Sequence, residues 1–252
     1  MQVLMPFGLF SSDPAVLPFT DDQVKILGHC EVDNVSGNSE DFNGHRIDGQ
    51  GGASLTPAPK FGSFAYSLNS GNDSIQVLDA PLSDFNVGGD EWTLEYWIFW
   101  QTPGPTRDLI HFGGVWGGSN SERSWQLYWD KDAQKHNFQY RSGSTTTTLT
   151  QADTFNWQTH ANTYVHFCVE RANFGASDEQ IRVYANFDLV ASFDVTGITF
   201  NNPSHQFSVG NNSVTNDGVN GRIDEIRFIN GVGIYRKDTI PAITEEFPDP
   251  VM

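Results

Sequence analysis

The chain consists largely of short segments in which apolar and polar residues alternate, and this pattern restricts the folds that it can adopt. Turn sequences rich in glycine, asparagine and proline, such as NSGND and TPGPT, separate these segments. Many short strands at even spacing predict an all-β protein, a two-sheet antiparallel jelly-roll sandwich. The segments that favour β-strands lie at 24–30, 63–69, 74–78, 92–100, 108–112, 124–129, 136–141, 144–150, 163–171, 180–186, 189–194, 205–210 and 221–229.

The composition favours one large domain. A chain of 252 residues has room for one large all-β domain or for two small ones. Its 19 Phe, 7 Trp and 7 Tyr supply enough bulky side chains for a thick core. Residues 1–20 differ, because they are rich in proline and phenylalanine and have no periodicity that would build a core. We therefore predict an extended N-terminal arm at 1–20 and a single domain at 21–252.

The charge of the chain argues against two classes of partner. A formal net charge of −17 repels both a phosphate backbone and an anionic bilayer, so we predict neither nucleic acid nor a membrane as partner. The surplus of acids is compatible with divalent cations, but a solvated acidic surface is the favoured interpretation. The N-terminal arm has no basic residue before its apolar run, and prolines interrupt it. We therefore expect neither a signal peptide nor a membrane span there.

The two cysteines, Cys30 and Cys168, are too few for a disulfide scaffold and too far apart in sequence for a zinc motif. Each lies in an apolar, strand-like run. Two buried free thiols are the favoured interpretation, and a single bridge is the alternative.

An acidic residue near the end of the chain needs a partner. In GRIDEIRF, residues 221–228, a period of two places Asp224 on the same face as Ile226 and Phe228. If that face is buried, the carboxylate must be paired, because an isolated charge in an apolar setting is very costly.

Three blocks of the chain resemble the laminin-G-like, concanavalin A-type domains. PKFGSFAYSLNSGNDSIQVLDAPLSDFNVGGDEWTLEYWIFW is similar to their K-F-G-x-S, D/N-G-x-x-D and G-D-F-T-I-E-F-W pattern. YVHFCVERANFGASDEQIRVYANFDLVASF and GRIDEIRFINGVGIYRKDTIPAITEEFPDP follow in the family's order. The resemblance implies two curved antiparallel sheets with the first and last strands adjacent. Tyr164 and Phe187 depart from the family's Trp and Gly, and the second departure implies an altered hairpin, since Phe resists positive φ.

The resemblance also implies a structural calcium ion. The family's H-F-D is similar to His29–Glu31, which places Glu31 where relatives often have an aspartate. Glu31, Asp224 and oxygen atoms around Asn69–Asp73, with Asp73 among the ligands, would then hold Ca²⁺. Oxygen ligands from separate strands suit this ion, which accepts irregular geometry.

Asp224 has a second interpretation that needs no metal. Its carboxylate would accept hydrogen bonds from a strand end, or from Arg222 or Arg46. Both interpretations stay open, because a glutamate in place of an aspartate lengthens one ligand arm.

We predict no enzymatic activity. Jelly-roll glucanases carry E-x-D-x-x-E on one strand, so that two carboxylates reach one cleft. EVDNVS, residues 31–36, matches the first two acids but has Ser36 at the third position. The histidines are scattered singly and show no zinc-ligand spacing.

Two tryptophans near glycine or polar turns are candidates for stacking on a sugar. Trp116 in GGVWGGSN and Trp157 in FNWQTH read as loop residues with few core contacts to make. Packing in the core is nevertheless the favoured interpretation for both.

Stand-alone chains of this kind resemble laminin-G-like proteins of tailed bacteriophages, which occur as capsid decoration or as fibre and tail accessories. The resemblance implies a virion protein made in the host cytoplasm, whose arm docks on other virion proteins, with a homo-oligomer as one possible form. The alternative is a carbohydrate-binding module that recognises cell-surface glycans through loop aromatics and calcium.

Overall fold

The computed structural model describes residues 19–31, 39–69, 71–101, 109–175, 178–202, 204–211 and 218–249. These residues form sixteen β-strands and four 3₁₀ helices, at Asp21–Gln23, Leu82–Phe85, Asn120–Glu122 and Trp157–His160. Within these ranges, no helix has the length and apolar character needed to cross a membrane. The strands are β1 Val24–Gly28, β2 Ser39–Glu40, β3 Arg46–Gln50, β4 Ser54–Thr56, β5 Ala65–Leu68, β6 Ser74–Leu78, β7 Trp92–Trp100, β8 Leu109–Trp116, β9 Arg123–Asp130, β10 Lys135–Ser142, β11 Thr145–Ala152, β12 Tyr164–Asn173, β13 Glu179–Ala185, β14 Asp188–Asp194, β15 Ser208–Val209 and β16 Gly221–Asn230.

Every predicted strand corresponds to an observed one, and three short strands were missed. Those three are β2, β3 and β4, which have two, five and three residues. β3 reads RIDGQ and buries only Ile47, so it has no apolar alternation to detect.

The strands form two antiparallel sheets packed as a sandwich, which confirms the predicted jelly-roll architecture. Sheet A has the order β14-β13-β12-β7-β16-β5-β4, with β1 also paired to β16. Sheet B has the order β11-β10-β9-β8-β15-β6-β3-β2. The predicted adjacency of the first and last strands is also confirmed, because Leu27 lies opposite Arg227 and Gly28 opposite Ile226.

The main core lies between the sheets and is dominated by aromatic rings. Trp92 stacks on Trp125 with ring centroids 4.3 Å apart, and this contact joins sheet A to sheet B. Phe207, which precedes β15, has its ring centroid 5.4 Å from that of Phe228. Truncating a buried ring of this size to alanine typically costs about 3–5 kcal/mol, so these contacts contribute strongly to stability.

A second apolar cluster covers the outer face of sheet A. The C-terminal segment, residues 231–249, contributes Ile234, Tyr235 and Phe247 to this cluster. Phe19 packs into the same cluster, so this residue of the predicted arm is part of the domain's packing. Residues 1–18 lie outside the described residues, and the predicted division at residue 20 stays a prediction.

Cys30 and Cys168 are both free and buried, as the favoured interpretation had it. Cys30 belongs to the core between the sheets, whereas Cys168 belongs to the cluster on the outer face of sheet A. The two thiols therefore lie in different clusters. Each packs there as a small apolar group.

A β-bulge in β16 changes which residues of GRIDEIRF face the core. The register with β7 shifts between Asp224 and Arg227, and Glu225 has a φ of 54°. Ile223 therefore points into the core together with Ile226 and Phe228. The prediction that Asp224 shares a face with Ile226 and Phe228 is wrong, because the extra residue of the bulge moves Asp224 to the outer face.

The β13–β14 hairpin keeps a two-residue turn in spite of its unusual sequence. Asn186 and Phe187 both have positive φ, 47° and 77°, which is the geometry of the primed turns that suit hairpins. The altered hairpin expected from Phe187 is therefore not found. The ring of Phe187 stacks on His166 at 4.9 Å and meets Trp97 edge-on at 5.9 Å, and these contacts offset the backbone strain.

Candidate functional site

The buried carboxylate of Asp224 is held by backbone N–H groups. Its Oδ2 atom accepts hydrogen bonds from the amides of Lys60 and Phe61, at 2.7 and 3.0 Å. Its Oδ1 atom accepts one from the amide of Glu225 at 3.0 Å. Burial and the nearby charge of Glu225 raise the pKa of Asp224, whereas the amide hydrogen bonds lower it. The net result is a pKa of about 7. Asp224 therefore connects β16 to the 60–63 loop. It accepts hydrogen bonds from protein donors, as the interpretation without a metal expected.

The three acids predicted to bind calcium all accept hydrogen bonds from backbone amides. Glu31 accepts a hydrogen bond from the amide of Ser63, in the same loop that Asp224 binds. Asp73 instead accepts from the amides of Gly52 and Asn69. In the part of the chain that the structure describes, no group of three or more His, Cys, Asp or Glu residues could hold a metal ion. These amide hydrogen bonds use part of the acceptor capacity of the three carboxylates, and the calcium site stays a prediction.

Neither predicted tryptophan is an exposed loop ring, and both assignments need correction. Trp157 is fully buried in the main core, where its ring lies 4.8 Å from that of Phe155 and 6.0 Å from that of Trp100. Trp116 is the last residue of β8, is only 4% exposed, and packs against the guanidinium of Arg123. The core-packing alternative therefore describes Trp157. A ring enclosed in this way has no face free to stack on a sugar.

The outer face of sheet B carries a row of small and polar residues, of which Asp48 is the only charged one. Trp125, Leu127 and Trp129 of β9 point into the core, so the residues between them, Gln126 and Tyr128, point outward. One row of paired positions crosses seven strands: Thr148, Gln139, Gln126, Gly114, Ser208, Gln76 and Asp48. We call this surface the polar face.

Side chains on β9, β10 and β11 form hydrogen bonds with one another across the polar face. Gln126 donates to the amide oxygen of Gln139 at 2.6 Å, and Gln139 donates to the hydroxyl of Thr148 at 2.9 Å. On the neighbouring row, Thr150 donates to the amide oxygen of Asn137 at 2.8 Å. These bonds leave little rotamer freedom to lose when a ligand binds, so the face is preorganised.

Tyr128 supplies an aromatic ring on this face. Its hydroxyl forms a hydrogen bond with Thr148, which belongs to β11, two strands away from Tyr128 on β9. Strands lie about 4.8 Å apart, so the ring must extend across β10 to reach that far. Tyr128 is partly exposed, and its ring therefore offers a flat aromatic surface above the sheet.

Gly114 keeps the backbone bare in the middle of the row. It has a φ of 150°, and a Cβ atom built on it would lie 2.3 Å from the carbonyl oxygen of Trp125. A side chain is therefore excluded at this position by the neighbouring strand.

The sequence contained a signal for the polar face that its alternation alone did not reveal. In WQLYW and HNFQYR the outward residues are mostly amides and phenols, although the chain carries a net charge of −17. A sheet face that only meets water would be expected to carry charged residues. The unusual feature is thus the chemical type of the outward residues.

The outer face of sheet A has the opposite chemistry, with charges buried beneath the C-terminal segment. Glu95 accepts hydrogen bonds from Arg227 at 2.8 and 2.5 Å and from the hydroxyl of Tyr235 at 2.7 Å. Glu170 accepts from the backbone amides of Tyr235 and Arg236 at 3.0 and 2.9 Å. The two carboxylates therefore fasten the C-terminal segment to the sheet.

These contacts change the pKa of Glu95. Burial alone would raise it, but the charge of Arg227 and the hydrogen bonds from His166 and Tyr235 lower the pKa of Glu95 to about 2. Glu95 is therefore ionised at neutral pH in spite of being fully buried.

The fold and the polar face define a jelly-roll domain of the lectin type. Residues 69–232, more than half of the chain, match the Laminin_G_3 family model of the concanavalin A-like lectin/glucanases superfamily, and the chain belongs to this family. No curated protein sequence matches the chain.

Solved structures with a similar fold include toxin binding domains. The binding domain of Paraclostridial Mosquitocidal Protein 1 has a TM-score of 0.58 and 13% identity over 84% of this chain. The receptor binding domain of botulinum neurotoxin C/D mosaic serotype has a TM-score of 0.55 and 12% identity, also over 84%. The chain spans about half the length of these structures, 50% and 49% respectively. At these identities the similarity is one of fold.

Proposed function

We propose that this domain is a non-enzymatic, lectin-like binding module that recognises an uncharged glycan on the polar face. Sugar hydroxyls donate and accept hydrogen bonds, and so do the partly exposed amide of Gln139 and the exposed hydroxyl of Thr148, while Gln126 is buried and holds Gln139 in place. The main observation is that the hydroxyl of Tyr128 bonds to Thr148, which also accepts from Gln139, so the partly exposed ring ends beside these two groups. A flat ring beside fixed polar groups is the arrangement that binds a partly apolar, hydroxylated ligand.

The comparisons support this proposal at the level of the fold. One similar structure is titled as a botulinum neurotoxin DC binding domain in complex with SialylT, with a TM-score of 0.54 and 13% identity over 84% of this chain and 49% of that one. Another title states that cell entry of botulinum neurotoxin type C depends on two ganglioside molecules. The family description also contains the word lectin. Two neighbours of similar fold are thus described with SialylT or ganglioside ligands.

Catalysis is not part of the proposal. A glycosidase needs two carboxyl groups about 5–9.5 Å apart. Asp48 on β3 and Asp130 on β9 are separated by β6, β15 and β8, which at about 4.8 Å per strand amounts to about 19 Å. Glu31, which begins the glucanase-like run, binds the amide of Ser63, and residues 32–38 lie outside the described residues.

Glycan binding can be tested with a glycan array followed by calorimetry on the best ligand. Tyr128→Ala removes the ring and should weaken binding at least tenfold, while Tyr128→Phe keeps the ring but loses the hydrogen bond to Thr148 and should weaken binding less than Tyr128→Ala. Lys237→Ala, on an exposed residue of the C-terminal segment, serves as the control. Equal affinity of Tyr128→Ala and the unchanged protein would refute the site.

A virion role for the module is a second proposal, and one observation favours it. Phe19, the first described residue, packs on the outer face of sheet A, which is the side opposite to the polar face. Attachment through residues 1–18 would leave the polar face pointing away from the particle. Deleting residues 1–18 should abolish incorporation into virions while glycan affinity is retained; full incorporation of the truncated chain would rule this role out.

A further inference from the structure

The terminal strands of the two sheets differ in how well they are protected against pairing with another chain. Sheet A ends at β14 and β4, and sheet B ends at β11 and β2. An unprotected edge exposes a row of backbone N–H and C=O groups that can pair with another strand. Proteins usually shorten such edges, charge them, interrupt them with bulges, or cover them.

Three of these four edges carry such protection. β2 and β4 have only two and three residues. β14 is covered by the C-terminal segment, because the amide of Leu189 donates to the carbonyl of Asp238 and the amide of Ile240 donates to that of Phe187. β14 also begins and ends with an aspartate, and its pairing with β13 contains a register shift.

β1, which branches off sheet A, is covered as well. The amide of Phe42 donates to the carbonyl of Leu27 at 2.8 Å, and the side chain of Asn43 donates to the carbonyl of Val24 at 3.0 Å. The 42–43 turn therefore lies along this strand.

β11 is neither short, charged nor bulged, and β14 of sheet A lies within 8 Å of it without being hydrogen-bonded to its other edge. Its eight residues, TTTTLTQA, pair with β10 in an unbroken register from Thr145 opposite Ser142 to Ala152 opposite Lys135. No described residue pairs with its other edge. The strand contains no charge, no proline and no bulge, and most of its residues are exposed. Its threonines are β-branched and favour extended backbone.

We propose that the free edge of β11 pairs antiparallel with β11 of a second copy of this chain, so that the protein forms a two-fold symmetric dimer. The absence of charge points to this partner. Two copies of a chain with a net charge of −17 repel each other over most of their surfaces, whereas two β11 strands bring no like charges together. A strand that pairs with itself must do so around a two-fold axis.

The sequence of β11 is self-complementary about Thr148. With the axis there, Thr148 faces Thr148 of the second copy, Thr146 faces Thr150, and Thr147 faces Leu149. Residues opposite each other in an antiparallel pair lie on the same face, so only same-parity positions can meet. Thr–Thr and Thr–Leu pairs are favourable cross-strand neighbours. The ends of the interface then pair Thr145 with Gln151.

The dimer would also extend the polar face, and this consequence rests on the proposed function. Thr148 is the last member of the row that contains Gln139 and Gln126. Across the axis the row would continue into the second copy and present two glycan sites on one continuous sheet. Two linked sites bind a multivalent surface more tightly than either one alone.

The pairing of Thr145 with Gln151 gives a charge-swap test on the full chain. Sedimentation velocity at increasing protein concentration should show a dimer for the unchanged protein. Thr145→Lys with Gln151→Lys places like charges opposite each other at both ends of the interface, and should raise the dimer dissociation constant at least tenfold. Thr145→Lys with Gln151→Glu places opposite charges there and should stay within threefold of the unchanged protein.

Thermal unfolding of both double variants checks that the fold is intact, since both positions are exposed. A monomer at 100 µM for the unchanged protein would overturn the proposal. An oligomer equally stable in both double variants would also overturn it, because the contact would then lie elsewhere. Tyr128→Ala should remain dimeric even where it no longer binds glycan, so failure of the dimer and failure of the glycan site are distinguishable.

Discussion

The outer faces of the two sheets both carry polar side chains, but sheet A buries them and sheet B exposes most of them. Sheet A buries Glu95 and Glu170 beneath the C-terminal segment and satisfies both with hydrogen bonds. Sheet B places neutral amides and hydroxyls outward and links them to one another. A buried charge is tolerated only where every partner is in place, whereas a neutral polar row tolerates exchange with a ligand. The difference separates a face built for stability from a face suited to binding.

The largest effect should follow from breaking the ion pair of sheet A. Glu95→Ala leaves Arg227 buried without its partner, which typically costs about 3–5 kcal/mol. Urea unfolding measures the loss, and the melting temperature should fall by about 6–20 °C.

The double variant Glu95→Ala with Arg227→Ala is the matched control, since it removes both charges. It should be less destabilised than the sum of the two single variants. A cost below about 1 kcal/mol for Glu95→Ala would mean that the charges of sheet A are not what holds the C-terminal segment.

Lowering the pH should also destabilise the outer face of sheet A. The pKa of Glu95 in the folded protein is about 2, below its ordinary value of 4.5. Its contribution to stability is therefore complete above pH 4.5 and is lost as the pH falls toward 2. Unfolding free energies at pH 5, 4 and 3 should converge between the unchanged protein and Glu95→Gln, which cannot titrate. Parallel pH profiles of the two proteins would contradict this.

Removing a hydrogen-bonding side chain from the outer face of sheet B should lower the free energy of unfolding much less. Gln139→Ala removes two neutral hydrogen bonds on a partly exposed face and should lower stability by about 0.5–1.5 kcal/mol in urea unfolding. Thr148→Val, which keeps the shape and removes the hydroxyl, is the companion variant. A loss as large as that of Glu95→Ala would erase the distinction between the two faces.

Chelation should have the smallest effect. Glu31, Asp73 and Asp224 already accept hydrogen bonds from backbone amides. EDTA should therefore leave the melting temperature unchanged within about 1 °C, which is less than the shift that 1 kcal/mol produces in a domain of this size. A rise in melting temperature on adding Ca²⁺ to the chelated protein would instead support the calcium prediction.

Much of the fold could be predicted from the sequence, and less of the candidate site. The alternation of WTLEYWIFW and TYVHFCVER was enough to locate β7 and β12, because the period of two is a local property. Trp157 was misassigned, because its sequence neighbours are polar although its ring fills the main core. Tyr128 was missed for the converse reason, since its place across β10 depends on a bond to Thr148.

The sequence by itself determined the all-β architecture, the positions of the main strands and the adjacency of β1 and β16. Only the tertiary structure decided the partner of Asp224 and the face on which it lies. The bulge at Asp224 and Glu225 breaks the period of two, and the partners are backbone amides of Lys60 and Phe61, which lie 164 and 163 positions away along the chain. Alternation encodes which side of a strand is apolar, but backbone amides are present at every residue and leave no mark in the sequence.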